Sequence, residues 1–517
     1  LLKEGSQHLS GLEEAILKNI KAVRELTAMT RTCFGPNGMN KMIINKIQKL
    51  LVTSDAATVV KEVDIIHPAA KLCVMAAEMQ EKEIGDATNL VLVFAGQLLQ
   101  TAQELILSAG LHPTDIISGY EKAFALTEKI VESLVATQVK DIRNNKEVGT
   151  VLRASIASKQ YGFQDTLVPL IAQACTQICP KNSKMFNVDN VRVVKMLGGA
   201  VSDSQVFKGM VFDRPVEGTV RVANKAKICI FAMGIDASKT ESTGVYRITT
   251  KAGLLNANKG EEQSIETLVK EIASAGVNVV VAGGTISEMA MHFFEKHKLL
   301  VFKINSKFQL RRLCRAVKAV PLVRLGKPTP EEIGECDKVY QTEIASRKCV
   351  VFAQDNESSR VSTLLIRAAT RNVLDDIERA IDDGVNVYKA LCGDQRFVAG
   401  AGATEVELAM LIKQEADKTP STEQGAIKGF GTSLEIVPVT LAENAGYKAI
   451  HLLSELYAAH AKEDGKHVGL DVENGSVADA KKLEVFDHLA SKLQALRLAT
   501  NTAVTVLRID QIIMARP

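Results

Sequence analysis

Residues 89–107 read NLVLVFAGQLLQTAQELIL, the most apolar run in the chain, and how this run is read decides the class of fold. Its length is close to that of a membrane span. Gln97, Gln100, Gln103 and Glu104 interrupt it, however, and a bilayer interior offers such groups no partner. A helix buried in a protein core is the better reading. Just before it stands Gly85-Asp86-Ala87-Thr88, then Asn89, which puts an acid, a hydroxyl and free N–H groups at the dipole-positive end of that helix. A phosphate with its magnesium could sit there, although a plain turn with Asp near the N-cap uses the same residues.

Outward from this run, residues 10–135 carry apolar residues at three- and four-residue spacing, as in SGLEEAILKNIKAVRELTAM and PTDIISGYEKAFALTEKIVESL. The pattern changes near residue 188. VDNVRVVKML, GMVFD, GTVRV, AKICIFAM and YRITT read as strands, followed by the helix EEQSIETLVKEIASAG, the buried strand VNVVVAGG, another helix and LLVFKI. That alternation predicts an α/β body with parallel pairing. KCVVFAQ and VSTLLIRAA continue it, and long helices return after residue 370. Neither helical end closes a core alone, so both are expected to build one helical domain around an inserted strand-rich one. The C-terminal VTVLRIDQIIM is strand-like and could add an edge to a neighbour's sheet.

Composition narrows the function. A chain of 517 residues needs several domains, and its net charge of +3 gives no electrostatic ground for general nucleic-acid binding. Nine cysteines without CxxC spacing fit reduced, buried thiols in the cytosol rather than zinc or disulfides. The start, LLKEGSQHLSG, has no signal-peptide pattern, and His292 and His297 lack the spacing of a helical metal pair. No Walker A pattern occurs, and VNVVVAGGTISEMA lacks the third glycine of a dinucleotide fingerprint, so an ordinary βα turn is expected there.

Four loops in the helical ends could carry chemistry: FGPNG (34–38), TSDAAT (53–58), GDATN (85–89) and AGAGATE (399–405). Asp55 follows the apolar LLVTS and could project into the same space as Asp86. From spacing alone, Asp375 in VLDDIERAIDD reads as one of several acids on a solvated helix face.

Taken together and in order, RTCFGPNGMNKMI, LVTSDAATVVKEVDIIHP, QEKEIGDATN, GAGATEVELA, LAENAG and GLDVENG resemble the group II chaperonins along essentially the whole chain. Within them, EGSQHLSGLEEAI, SKQYG, FNVDNVRV, LDDIERAIDDGVN and TVLRIDQIIMA are similar to one subunit type of the eukaryotic cytosolic chaperonin, TRiC/CCT. The resemblance implies a multi-domain α+β chaperonin fold. Residues 1–136 and 397–517 would form a helical equatorial ATPase domain, 137–203 and 362–396 a small intermediate domain, and 204–361 an α/β apical substrate-binding domain. TTKAGLLNANKGEEQSIETL (249–268) would be its helical protrusion.

The resemblance also implies ATP and Mg2+ as cofactors, hydrolysis of ATP, a cytoplasmic hetero-oligomeric double ring of paralogous subunits, and non-native clients such as actin and tubulin. Neither nucleic acid nor membrane is implied. Phe34, Gly35 and Pro36 would line the nucleotide, Asp86 would hold magnesium, and Ala87, Thr88, Asn89 and Leu90 would run along the phosphates. Ser158 and Lys159 would sense the γ-phosphate, while Gly400, Ala401 and Gly402 would pass the ribose and Asp487 would contact the nucleoside end. Asp55 and Asp375 would orient and activate the attacking water.

Several positions depart from the family pattern. Ala87 and Ala401 stand where the family commonly has glycine, Ser54 where asparagine precedes the acid, and LEVFDHL replaces a Gly-Val-Trp-Asp-Pro-like stretch. A methyl costs little there if φ is negative and about 1 kcal/mol or more if it is positive. These departures keep open a second reading, a largely structural ring subunit that binds nucleotide but turns it over slowly or not at all.

Overall fold

The computed structural model describes residues 7–10, 12–45, 48, 50–235, 251–344, 346–354, 361–462 and 465–514. The chain divides into two compact units, Leu1–Val188 with Asp375–Pro517, and Asp189–Leu374.

In the first unit the two ends of the chain share one helical core. Ile20 and Val23 from helix Leu12–Arg31 and Leu92, Phe94 and Leu98 from helix Thr88–Ala109 belong to the same cluster as Val406, Ile412, Phe430, Leu496 and Ala503. Phe430 takes Phe94 edge-on at 5.4 Å and Tyr120 at 5.9 Å between ring centroids. Tyr120 is fully buried, and its hydroxyl donates to the Leu98 carbonyl, so the ring adds apolar area without an orphaned polar atom. The apolar run 89–107 thus lies inside helix Thr88–Ala109, whose residues from Leu90 to Leu99 are buried apart from Gln97. It is a core helix. Around this core lie a three-stranded sheet (Val135–Gln138, Arg396–Ala399, Phe486–His488) and two hairpins, Lys41–Ile44 with Leu50–Thr53 and Val468–Asp471 with Ser476–Asp479.

The second unit is an eight-stranded mixed sheet. Strands Val222–Phe231, Val279–Ala282 and Leu300–Lys303 run parallel, as the alternation predicts, and their side chains divide cleanly between two faces. Ile228, Ile230, Val279, Val281, Leu300 and Phe302 pack with Leu310 and Leu313 of helix Lys307–Val317. Cys229, Phe231, Val280, Ala282 and Val301 pack with Ile265, Val269 and Phe294 from helices Lys251–Ser274 and Glu288–Lys296. Both faces are covered, which is why these strands are continuously apolar. Most of the other pairings are antiparallel, with Ser362–Ala368 parallel to Val191–Leu197 as the exception.

Three expectations change. GTVRV contributes only its last residue to strand Val222–Phe231, while Gly334–Ile344 is a full strand whose charged alternation (GECDKVYQTEI) hid it. The C-terminal VTVL is helical: Val504, Val506 and Leu507 end helix Leu489–Leu507 as buried residues, so tertiary burial overrides their β propensity. Only Gln511–Met514 is a strand, and it pairs with Gln7–Ser10 of the same chain. YRITT and the first two residues of the expected protrusion lie outside the described residues; the stretch is helical from Lys251 onward.

Candidate functional site

All four loops converge on one cavity of about 560 Å³ in the first unit, a size suited to a small ligand. Phe34, Gly35, Pro36, Asp55, Asp86, Ala87, Thr88, Asn89, Leu90, Ser158, Lys159, Ala401, Gly402 and Asp487 all reach its wall. GDATN and GAGATE therefore share a pocket although more than three hundred residues of sequence separate them.

Local chemistry fixes each loop. Helix Leu12–Arg31 ends where Asn444 Nδ2 donates to the carbonyls of Arg31 (3.0 Å) and Phe34 (2.8 Å), tying the FGPNG loop to helix Ile436–Asn444. Asp55 is the N-cap of helix Ala56–Glu62, its Oδ2 accepting from Thr58 N at 3.1 Å and Thr58 Oγ1 at 2.6 Å. Gly85 packs beneath Asn386, where a Cβ would come within 2.1 Å of Nδ2. Ala87, not Asp86, is the N-cap of helix Thr88–Ala109, and no side chain caps that end. Its first N–H groups are thus free of side-chain capping on a wall that also carries Asp86. Asp86 Oδ1 accepts from Ala87 N at 2.7 Å and Oδ2 from Ser155 Oγ at 3.1 Å.

Both departures from glycine prove to be left-handed, Ala87 with φ 61° and Ala401 with φ 56°. Each therefore carries backbone strain on the order of 1 kcal/mol.

Asp375 is misplaced by the sequence reading. It is half-buried on helix Arg371–Gly393 and is not part of the cavity wall. The acid of this helix paired with Lys159 Nζ is Asp383, only 4% exposed and itself behind the wall that Lys159 lines. Helical phase explains the difference. Asp376 and Asp383 flank the buried stripe of Ile377, Ala380, Ile381, Gly384 and Tyr388, whereas Asp375 and Asp382 lie on the opposite face. Asp376 reaches Thr53 and Asp383 reaches Lys159, so the two acids on this flank of the helix serve the site together. The apolar period was the available signal. Gly400 also lies off the wall, with its nitrogen donating to the Val485 carbonyl at 3.0 Å.

Lys159 follows the C-cap of helix Asn145–Ala157 and pairs with Asp55 Oδ1 at 2.8 Å as well as with Asp383. Burial opposes charge on all three groups. For Lys159 the two carboxylates outweigh burial and keep the ammonium protonated. Burial would raise Asp55, but Lys159 and Thr58 hold it at about 2. For Asp383 burial wins over Lys159 and lifts its pKa well above the usual carboxylate range. Burial likewise raises Asp86 against the Ala87 N–H, Lys159 and Ser155. A second buried lysine, Lys492, pairs with Glu405 at 2.8 Å and Asp487 at 2.7 Å, a pairing that no sequence spacing revealed.

Carboxylates outnumber bases on the wall: Asp55, Asp86, Glu405, Asp471, Glu473, Glu484 and Asp487 against Arg153, Lys159, Lys482 and Lys492. A polyphosphate would meet net negative charge unless a divalent cation stood between. The hard oxygens of Asp86 beside an uncapped helix N-terminus are a donor set suited to magnesium and phosphate together.

Residues 26–517 match the TCP-1/cpn60 chaperonin family. T-complex protein 1 subunit theta of Dictyostelium discoideum is 51% identical over 517 residues, covering 100% of this chain and 96% of the relative. The theta subunits of Homo sapiens and Arabidopsis thaliana are 49% and 48% identical over 519 residues, each covering 100% of this chain and 94% of the relative.

Proposed function

The chain belongs to the TCP-1/cpn60 chaperonin family, and from that premise we propose that it is an ATP-hydrolysing subunit of a hetero-oligomeric double-ring chaperonin. The observation that carries this reading is the buried cluster Asp55–Lys159–Asp383 beside Asp86, set against the uncapped N-terminus of helix Thr88–Ala109.

In this reading the N–H groups of Thr88, Asn89 and Leu90 hold the phosphates, and Phe34, Gly35, Pro36, Ala401 and Gly402 enclose the nucleotide. Magnesium, held by Asp86 and phosphate oxygens, would neutralise charge on the transferring phosphoryl group. Lys159, shared between two acids, offers its cation to the terminal phosphate. Its departure frees Asp55 and Asp383 to orient and deprotonate the attacking water. Burial raises the pKa of Asp383, which makes it a better proton acceptor than an exposed carboxylate. Asp383 therefore takes the role first given to Asp375.

The wider reading follows the family. Residues 1–136 and 397–517 act as the equatorial domain, 137–203 and 362–396 as the intermediate domain, and 204–361 as the apical domain, with its protrusion closing the chamber. Paralogous subunits complete the ring in the cytoplasm, and non-native proteins, actin and tubulin among them, are enclosed when ATP drives closure.

The deciding experiment is ATP hydrolysis by assembled complex carrying Asp383→Ala in this subunit alone. Lower turnover with nucleotide still bound supports the proposal, and unchanged turnover overturns it. One observation favours a second reading, a structural subunit with slow or no turnover: Ala87 and Ala401 place methyl groups in left-handed backbone at the cavity wall.

A further inference from the structure

We propose that Gln80 is a positioning residue for the acid assigned to magnesium: its side-chain amide holds the Asp86 peptide from behind and so sets the direction in which the Asp86 carboxylate faces. The inference rests on the reading of the cavity as a site for MgATP, and it adds a residue outside the wall on which that site depends.

Gln80 lies in the last turn of helix Pro68–Glu83 and is fully buried. It forms no part of the cavity wall. Both its backbone and its side chain grip the turn that follows. The backbone carbonyl accepts from Ile84 N at 2.9 Å and Gly85 N at 3.0 Å, which ends the helix. Nε2 donates to the Asp86 carbonyl at 2.9 Å and to the Ser491 carbonyl at 3.3 Å. Ser491 stands in the first turn of helix Leu489–Leu507 and on the cavity wall. One amide thus ties the turn carrying Asp86 to a second element of the wall.

The peptide between Asp86 and Ala87 transmits this hold. In a trans peptide the carbonyl and the N–H point in opposite directions. Gln80 takes the Asp86 carbonyl, so the Ala87 N–H points away from Gln80, where it donates to Asp86 Oδ1 at 2.7 Å. Ser155 Oγ donates to the other oxygen, Oδ2, at 3.1 Å. Rotation of that single peptide would carry the Ala87 N–H away and release Oδ1. The turn needs a restraint, because Ala87 sits at φ 61°, a conformation that alanine does not favour.

The energetics of burial separate this role from the filling of space. Gln80 Oε1 has no hydrogen-bond partner among the described residues. Leaving a buried acceptor unpaired costs about 1–3 kcal/mol, so a glutamine is a poor choice for packing alone. Turning the amide over is no remedy, since it would set Oε1 against two carbonyl oxygens. The use of the residue lies in its two donors.

The test is calorimetric titration of ATP, with magnesium and with EDTA, into the purified chain and three variants: Gln80→Met, Asp86→Asn and the two combined. Gln80→Met keeps the length of the side chain and removes both donors. It should lower the affinity for MgATP about 10–100-fold, the usual loss when a residue orienting a metal ligand is removed, and leave that for metal-free ATP within about twofold. Because Gln80 acts through Asp86, its loss should add nothing once Asp86 is gone. The combined variant should therefore show the same ratio of MgATP to ATP affinity as Asp86→Asn alone. Urea unfolding reports whether each variant is folded. Gln80→Asn, which keeps an amide but falls one methylene short, carries the same test if Gln80→Met does not fold. Unchanged MgATP affinity, equal loss with and without magnesium, or a loss that adds to that of Asp86→Asn overturns the proposal. If Asp86→Asn keeps the full advantage of magnesium, the metal assignment falls and this inference with it. An unaltered chain that binds no nucleotide sinks the nucleotide reading itself, which failure at Gln80 alone does not touch.

Discussion

Lys159 Nζ lies 2.8 Å from Asp55 Oδ1 and pairs at the same time with Asp383, so one cation joins the N-cap of helix Ala56–Glu62 to helix Arg371–Gly393. Neither acid can be left alone in this buried setting without cost. Anything that draws the lysine toward the cavity must therefore compensate two carboxylates or let them find new partners.

Lys159→Met tests that arrangement as a stability element. Removing one partner of a buried ion pair costs about 3–5 kcal/mol, because the remaining charge is stranded. Adding Asp383→Asn should return part of the loss, and urea unfolding of the single and double variants measures the coupling. The acid limb gives a second readout. Asp55 is held at about 2, below its ordinary 3.8, so its contribution is present above roughly pH 4 and is lost as pH falls through about 2. That contribution is about 2 kcal/mol. In Lys159→Met burial is no longer opposed by the lysine, and the stability lost between those pH values should shrink.

Asp375→Asn and Asp383→Asn should behave differently although both acids belong to the same helix. Asp383→Asn should lower this subunit's turnover by an order of magnitude or more with nucleotide affinity nearly unchanged, as loss of a positioned proton acceptor does. Asp375→Asn should leave both within about twofold, since it lies off the wall and on a different face from Asp383, the acid of this helix that pairs with the wall residue Lys159. Single-turnover hydrolysis and equilibrium binding, measured side by side, separate the two. Equal effects would mean the helix acts as a unit and not through Asp383.

This pair also shows where sequence reading stops. The loops were legible because glycine, proline and capping acids have local reasons to stand where they do, and the apolar periods located both the helical core and the parallel strands. Asp383 was not, because four acids crowd the helix at Asp375, Asp376, Asp382 and Asp383, and composition treats them alike. Only the helical phase relative to Ile377, Ala380, Ile381 and Tyr388 separates them. Lys492 was beyond reach for another reason. Its partners Glu405 and Asp487 lie on a different helix and on a strand, so no spacing encodes the contact. Strand Gly334–Ile344 failed because exposed charges broke its apolar alternation.

Ala87→Gly and Ala401→Gly should each stabilise the chain by about 1 kcal/mol or less. Relief of left-handed strain at φ 61° and 56° is partly offset by the greater freedom of glycine in the unfolded chain. Thermal melts of the two variants check this. The same variants bear on turnover. If the methyl groups are what slow the site, Ala87→Gly should raise the hydrolysis rate without changing affinity for ADP. An unchanged rate removes those two positions as grounds for a structural subunit.

Magnesium dependence tests the charge inventory of the cavity. Seven wall carboxylates face four bases, so ATP without a divalent cation should bind poorly, and chelation by EDTA should weaken it by an order of magnitude or more. Asp86 is the acid beside the uncapped helix, so it should carry most of this dependence. Asp86→Asn keeps an oxygen for the Ala87 N–H, turns its amide nitrogen to the Ser155 hydroxyl, which can accept, removes one negative charge and loses the hard anionic ligand. Two consequences oppose each other. ATP without metal should bind Asp86→Asn better than it binds the unaltered chain, because repulsion falls, while MgATP should bind worse, because the metal loses its protein ligand. Titrating ATP with and without magnesium for both proteins reads the crossing directly. If the two proteins lose the same factor on chelation, the metal is held elsewhere, and Asp86 serves only to shape the turn ahead of Thr88.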